Sequence, residues 1–69
     1  MITLDNIRAK LAEAIKSSEL SQSEIARRLG IAHQQVSGYV CGKQMPALDT
    51  LANLCVILDL DANEILCVK

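Results

Sequence analysis

Sixty-nine residues with seven Lys and Arg against eight Asp and Glu make a small, near-neutral chain, of a size at which one core only just offsets chain entropy. Just over half of it is apolar, yet there is no Trp, no Phe and a single Tyr, so the core has to be aliphatic. No apolar run reaches the ~18 residues of a bilayer span, and the start MITLDNIRAK lacks the basic-then-apolar order of a secretory signal; these features lead to the expectation of a cytoplasmic protein of one domain, residues 1–69.

Helix punctuation then recurs along the chain. Thr3 is placed to cap a first helix whose apolar positions Leu4, Ile7, Leu11, Ala14 and Ile15 repeat with a 3.6-residue period. Ser21-x-x-Glu24 reads as a capping box, with Leu20 and Ile25 flanking it as a hydrophobic staple. Ile2 and Ile7 repeat the staple around Thr3, and Leu60 and Ile65 repeat it around Asp61-x-x-Glu64. Gly30 suits the left-handed residue that closes a second helix, and Gly42 does the same for a third that holds Val36 and Tyr39. Pro46 bars continuation, after which Leu48, Leu51, Leu54, Cys55 and Leu58 form the next stripe. The spacing predicts five helices at about 4–18, 22–29, 32–41, 48–58 and 62–67, with no strand pair. The expected class is all-α, a bundle of short helices.

Two short helices joined by a turn that opens at Gly30 make a helix-turn-helix. Ala26 is small where the following helix crosses close over it, and Gly30 supplies a positive φ without a Cβ penalty. Ile25, Leu29, Val36 and Tyr39 are the inward anchors. Such packing leaves Ala32, His33, Gln34, Ser37, Gly38 and Cys41 outside, on the face that enters a major groove in DNA-binding examples.

Other chemistries find no support. Cys41, Cys55 and Cys67 are odd in number and form no Cys-x-x-Cys pair, which speaks against a disulfide framework. With His33 they lack the spacing of zinc ligands, so neither metal nor cofactor is expected. One His and no Gly-rich phosphate loop leave no constellation for nucleophilic catalysis, and an enzyme is not expected. Charge is uneven: between Ser21 and Pro46, Glu24 faces Arg27, Arg28 and Lys43, whereas from Ala47 onward four acids face only Lys69. The middle is basic and the end acidic.

The order LSQSEIARRLGI, a polar start to the third helix, then GKQMPALDTLANLCVILDLDANEIL resembles the lambda-repressor-like family of Cro/repressor-type helix-turn-helix proteins, also called the xenobiotic-response-element family. The resemblance spans nearly the whole chain. It implies a compact five-helix fold, binding of double-stranded DNA through the third helix, and a homodimer on a near-palindromic operator. It also implies that Gln22, at the start of the second helix, meets a phosphate and braces His33. Where family members usually carry Ser or Thr, this chain has Ala32 and Ala47, each loss worth ~1 kcal/mol of helix stability. Cys41 stands where phage repressors often place a phosphate-touching Asn.

Among outward residues Gln34 is the leading base reader, since a carboxamide can both donate to and accept from adenine N6 and N7. Gln35, ~100° further round, faces a base, a phosphate or the first helix. His33 meets a base edge, a phosphate or only solvent, and an imidazole at a phosphate makes the contact pH-dependent. Lys43 in the following turn is a natural phosphate partner, while Arg27 and Arg28 read equally as a solvated face. Ser37 and Gly38 are small enough for a groove wall to come near. No large side chain reads bases from mid-helix, which predicts a short or degenerate consensus. Plainer readings stand beside these: glutamine is also a good exposed helix former.

The reading is a sequence-specific DNA-binding regulator of phage or mobile-element type, dimeric through Leu66, Val68 and the last helix, with no membrane or small-molecule partner. Its alternatives are the antitoxin of a toxin–antitoxin pair, for which the short tail offers little toxin-binding segment, and a protein-interaction module that binds DNA weakly.

Overall fold

The computed structural model describes residues 1–68. Five helices follow in order: α1 Leu4–Ser17, α2 Gln22–Leu29, α3 His33–Cys41, α4 Leu48–Ile57 and α5 Ala62–Ile65, with no strand among the described residues. The starts are built as local chemistry dictates. Thr3 Oγ1 accepts the Asn6 N–H at 3.2 Å, Ser21 Oγ accepts that of Glu24 at 3.1 Å, and Asp61 Oδ1 accepts that of Asn63 at 2.9 Å. The second half of the expected Ser21–Glu24 box does not form. Glu24 turns instead to the guanidinium groups of Arg27 and Arg28, because an ion-paired hydrogen bond is shorter and stronger than one to a neutral amide.

Ends are as regular as starts. After α2, Gly30 sits at φ 71° and the Ile31 N–H reaches back to Ala26 O at 3.1 Å; after α3, Gly42 sits at φ 80° and the Lys43 N–H reaches Gly38 O at 2.9 Å. These are Schellman closures, which need a left-handed residue. The chain uses the device twice more without glycine. Asp59 at φ 54° precedes a Leu60 N–H to Cys55 O bond of 2.8 Å, and Cys67 at φ 62° precedes a Val68 N–H to Asn63 O bond of 3.0 Å. The closure around Cys67 ends α5 at Ile65, two residues earlier than the spacing predicts.

Leu11 and Ile15 of α1, Ile25 and Ala26 of α2, Val36 and Tyr39 of α3, Leu51, Leu54 and Cys55 of α4, and Ile65 of α5 form one buried cluster. Leu20 and Leu60, the outer members of two staples, pack against it, as does Leu29. Within this cluster α3 lies on both α1 and α2, α4 rests on α2, and α5 closes against α1. The expected stripes are too generous at their N-terminal ends. Leu4 is exposed, and Leu48 is 83% exposed, so neither fills the core. Leu48, Ala52 and Val56 lie four residues apart along the outer side of α4, where a helix apolar nearly all round cannot bury every side chain against one neighbour.

Candidate nucleic-acid interface

Helix α3 is held from beneath and open above. Val36 and Tyr39 are buried in the cluster shared with α1 and α2, while Ala32, His33, Gln34, Gln35 and Cys41 are exposed. Burial pushes the Tyr39 hydroxyl above its usual range, as befits an anchor rather than a contact residue. Neither Ala32 nor Ala47 provides a side-chain cap. At α3 the deficit is partly met from inside the helix: Gln35 Oε1 accepts the Ala32 N–H at 3.2 Å, and the Gln35 N–H donates to Ala32 O at 3.0 Å. Gln35 thus completes a helix start. Gln34 is left as the exposed glutamine without such a tie.

Gln22 and Ser37 are brought together. Ser37 Oγ donates to Gln22 Oε1 at 3.0 Å across the α2–α3 junction, fifteen residues apart in sequence. The brace expected to His33 therefore falls on Ser37 instead, one turn further along α3. Because Oε1 is the bonded atom, the Gln22 NH2 is the end left to donate outward. Both residues are half-buried.

Gly38 departs from expectation. It is buried rather than outward, although Gln34 and Cys41 on the same side of α3 are exposed. What covers it is Gln44, from the turn after α3: a Cβ built on Gly38 would stand 3.1 Å from Gln44 Cγ and Cδ and 3.3 Å from Cβ. The N–H groups of Lys43 and Gln44 both bond the Gly38 carbonyl, at 2.9 and 3.2 Å. A groove wall therefore cannot approach Gly38 directly, since a side chain already lies there. Gln44 carries little mark in the sequence of such a position. Its only signal was a glycine inside α3 followed six residues later by a long polar side chain.

Charge around this face is sparse. Lys43 is exposed beside the C-terminal end of α3. Arg27 and Arg28 are both committed to Glu24, with Arg27 Nε at 3.1 Å from Oε1 and Arg28 Nε at 2.9 Å from Oε2. The hydrogen bonds from Arg27 and then Arg28 lower the Glu24 carboxyl to about 2, and the same pairing raises Arg27. Arg28 also borders a shallow hollow with Ser17, Leu20, Ile57 and Asp59, away from α3. A second hollow lies between α1 and α5, lined by Lys10, Glu13, Leu60 and Asp61. Among the described residues no three His, Cys, Asp or Glu side chains gather in a way that could hold a metal ion. The Cys55 thiol is pushed up by burial and then by Asp61. No described helix is long and apolar enough to cross a membrane.

Leu66 is half-buried and packs against the core, whereas Val68 is 61% exposed. The two residues expected to share an interface thus differ in what they already touch.

A family model described as Helix-turn-helix, of the Cro/C1 type, matches residues 11–65. That span runs from the buried Leu11 of α1 to the buried Ile65 of α5 and contains the whole α2–turn–α3 unit. Neither a curated protein nor a solved structure gives a match.

Proposed function

The chain belongs to the Cro/C1-type helix-turn-helix family, whose members are DNA-binding transcriptional regulators, and we propose that it is a repressor that reads a near-palindromic operator as a homodimer. The observation that carries this reading is the first turn of α3. Its outer residues Ala32, His33 and Gln34 stand in solvent while Val36 and Tyr39 of the same helix are locked into the core. A polar helix start held rigidly at the surface is what a major groove accommodates.

Roles follow from placement. Gln34 reads a base edge, with His33 beside it. Gln22, steadied by Ser37, offers its NH2 to a phosphate, and Lys43 neutralises another. Gln35 acts through the helix start that it completes. Ala32 and Ser37 keep the approach open, and Gly38 contributes by giving Gln44 room. One recognition helix covers only a few base pairs, so two copies about one DNA turn apart are needed for selective binding. The exposed Val68, with Leu66 behind it, supports a contact between copies at the C-terminal end. The family supports a non-enzymatic, cytoplasmic role, and nothing in the reading requires a cofactor or small molecule.

Selection from a random duplex library tests the proposal. It should enrich a near-palindrome with half-site centres about 10 base pairs apart, and sedimentation should find two chains per enriched duplex. No enrichment, or one chain per duplex, refutes it. The pairing of both arginines with Glu24 favours a second reading, a protein-interaction module with weak DNA binding. Failure to be retained on heparin, with no salt-dependent binding to duplex DNA, would mark that case.

A further inference from the structure

The middle of α3 has no large side chain of its own on the outer face: Gln34 is followed along that strip by Gly38 and Cys41. We propose that Gln44 supplies the missing reader, a base-contacting carboxamide delivered to mid-helix from the turn rather than from α3. The proposal rests on the DNA-binding reading above.

Three observations carry it. Gly38 is buried inside an otherwise exposed strip, and the cover is the Gln44 stem, with Cβ, Cγ and Cδ all within 3.3 Å of where a Cβ would stand. The stem is aimed by its own backbone, since the Gln44 N–H bonds the Gly38 carbonyl at 3.2 Å next to that of Lys43. Gln44 nonetheless remains exposed, and its side-chain amide has no hydrogen-bond partner among the described residues. A long side chain lying flat on a helix, anchored at its root and open at its tip, presents one donor and one acceptor outward. Those are the groups that pair bidentately with adenine N6 and N7.

Register fits a separate base pair. Gly38 lies four residues beyond Gln34, about 6 Å along the helix at 1.5 Å per residue. Base pairs are spaced about 3.4 Å apart, so the two carboxamides address positions one or two steps apart. Glycine at 38 is then a specificity device, because a Cβ there would force the Gln44 stem to shift by a few tenths of an ångström and re-aim its tip. The short consensus expected from α3 alone gains a further position.

Selection from a random duplex library with wild type, Gln34→Ala, Gln44→Ala and Gly38→Ala tests this. Gln34→Ala should relax preference at one base pair of each half-site, and Gln44→Ala at another, one or two steps away. Affinity for the wild-type consensus should fall about 5- to 140-fold in each. Gly38→Ala should relax the same position as Gln44→Ala while keeping full helical circular dichroism, and the double variant should lose no more there than either alone. A wild-type consensus that Gln44→Ala leaves unchanged overturns the assignment while the DNA-binding reading stands. So does a loss by Gln44→Ala that is equal on all sequences, which marks a phosphate contact. If wild type enriches no sequence, the DNA-binding reading itself is refuted and the assignment of Gln44 falls with it.

Discussion

Gly30 offers a test in which backbone conformation is separated from packing. It sits at φ 71°, and a Cβ built on it meets no atom within 4 Å, so replacing it cannot create a clash with a neighbour. The cost of Gly30→Ala is then the left-handed conformation alone, roughly 1–2 kcal/mol for a residue with a Cβ. Against this, alanine narrows the unfolded ensemble and returns about 0.4–1 kcal/mol. The net destabilisation should be ~1 kcal/mol. That is a large share of the roughly 3–10 kcal/mol available to a chain of this size. Gly30→Asn should cost less, because asparagine visits this region more readily, and Gly30→Val more, because a β-branched residue there is a genuine outlier. The converse should hold at Asp59 and Cys67, which occupy the same conformation without being glycine. Replacing either with Gly relieves that strain but widens the unfolded ensemble, so stability should change by less than ~1 kcal/mol. Urea unfolding followed by far-ultraviolet circular dichroism measures all five variants, with the slope against urea unchanged. If Gly30→Ala is as stable as wild type, or if Asn, Ala and Val cost the same, the closure of α2 is not what limits the turn.

Ala26 is 4% exposed in the shared core, so Ala26→Leu should cost ~1–3 kcal/mol or more through overpacking; a melt matching wild type would show that the α2 packing is misplaced. Lys43→Ala should weaken binding to every duplex alike and reduce the slope of log affinity against log salt by about one, whereas Gln34→Ala should leave the slope in place. Equal losses in both variants on operator and random DNA would defeat that division of roles. Glu24 titrates at about 2 in the folded chain against an ordinary 4.5. Its pairing therefore contributes above pH ~4.5 and is lost as pH falls towards 2. The stability difference between wild type and Glu24→Gln should shrink across that window; a difference independent of pH would show that the arginine pairing is immaterial. Val68→Lys should shift sedimentation towards monomer and weaken operator binding while leaving the melt unchanged, and an unaltered dimer would exclude the C-terminal contact.

What could be read in the chain was whatever is decided within one turn of helix. Thr3, Ser21 and Asp61 cap because a short oxygen-bearing side chain reaches an amide two or three residues on. Gly30 and Gly42 close helices because a positive φ is cheap only there. The same logic could not foresee Asp59 and Cys67, where the closing bond is formed by residues that carry a Cβ. Competition between partners was also invisible: Glu24 had an amide and two guanidinium groups in reach, and charge decided. On α4 periodicity lost its meaning, because a helix with apolar residues on most sides gives no single stripe, and Leu48 and Val56 ended outside. On α3, Gln34 and His33 are exposed, as the pattern along the helix leads one to expect. The Ser37–Gln22 bond and the Gln44 cover over Gly38 join segments that only tertiary packing brings together.

The aliphatic core leaves Tyr39 as the one Phe, Tyr or Trp of the chain, and it is buried on the underside of α3. Ring-current shifts of core protons therefore come chiefly from this one ring, since the imidazole of His33 lies exposed at the surface. Methyl groups of the surrounding Leu, Ile and Val residues sense that source according to their distance from it and the tilt of the ring. A displacement of α3 when a duplex is bound would move those methyl resonances together, without an introduced label and without overlap from a second buried ring. Unmoved methyl signals would mean that the helix docks as a rigid body.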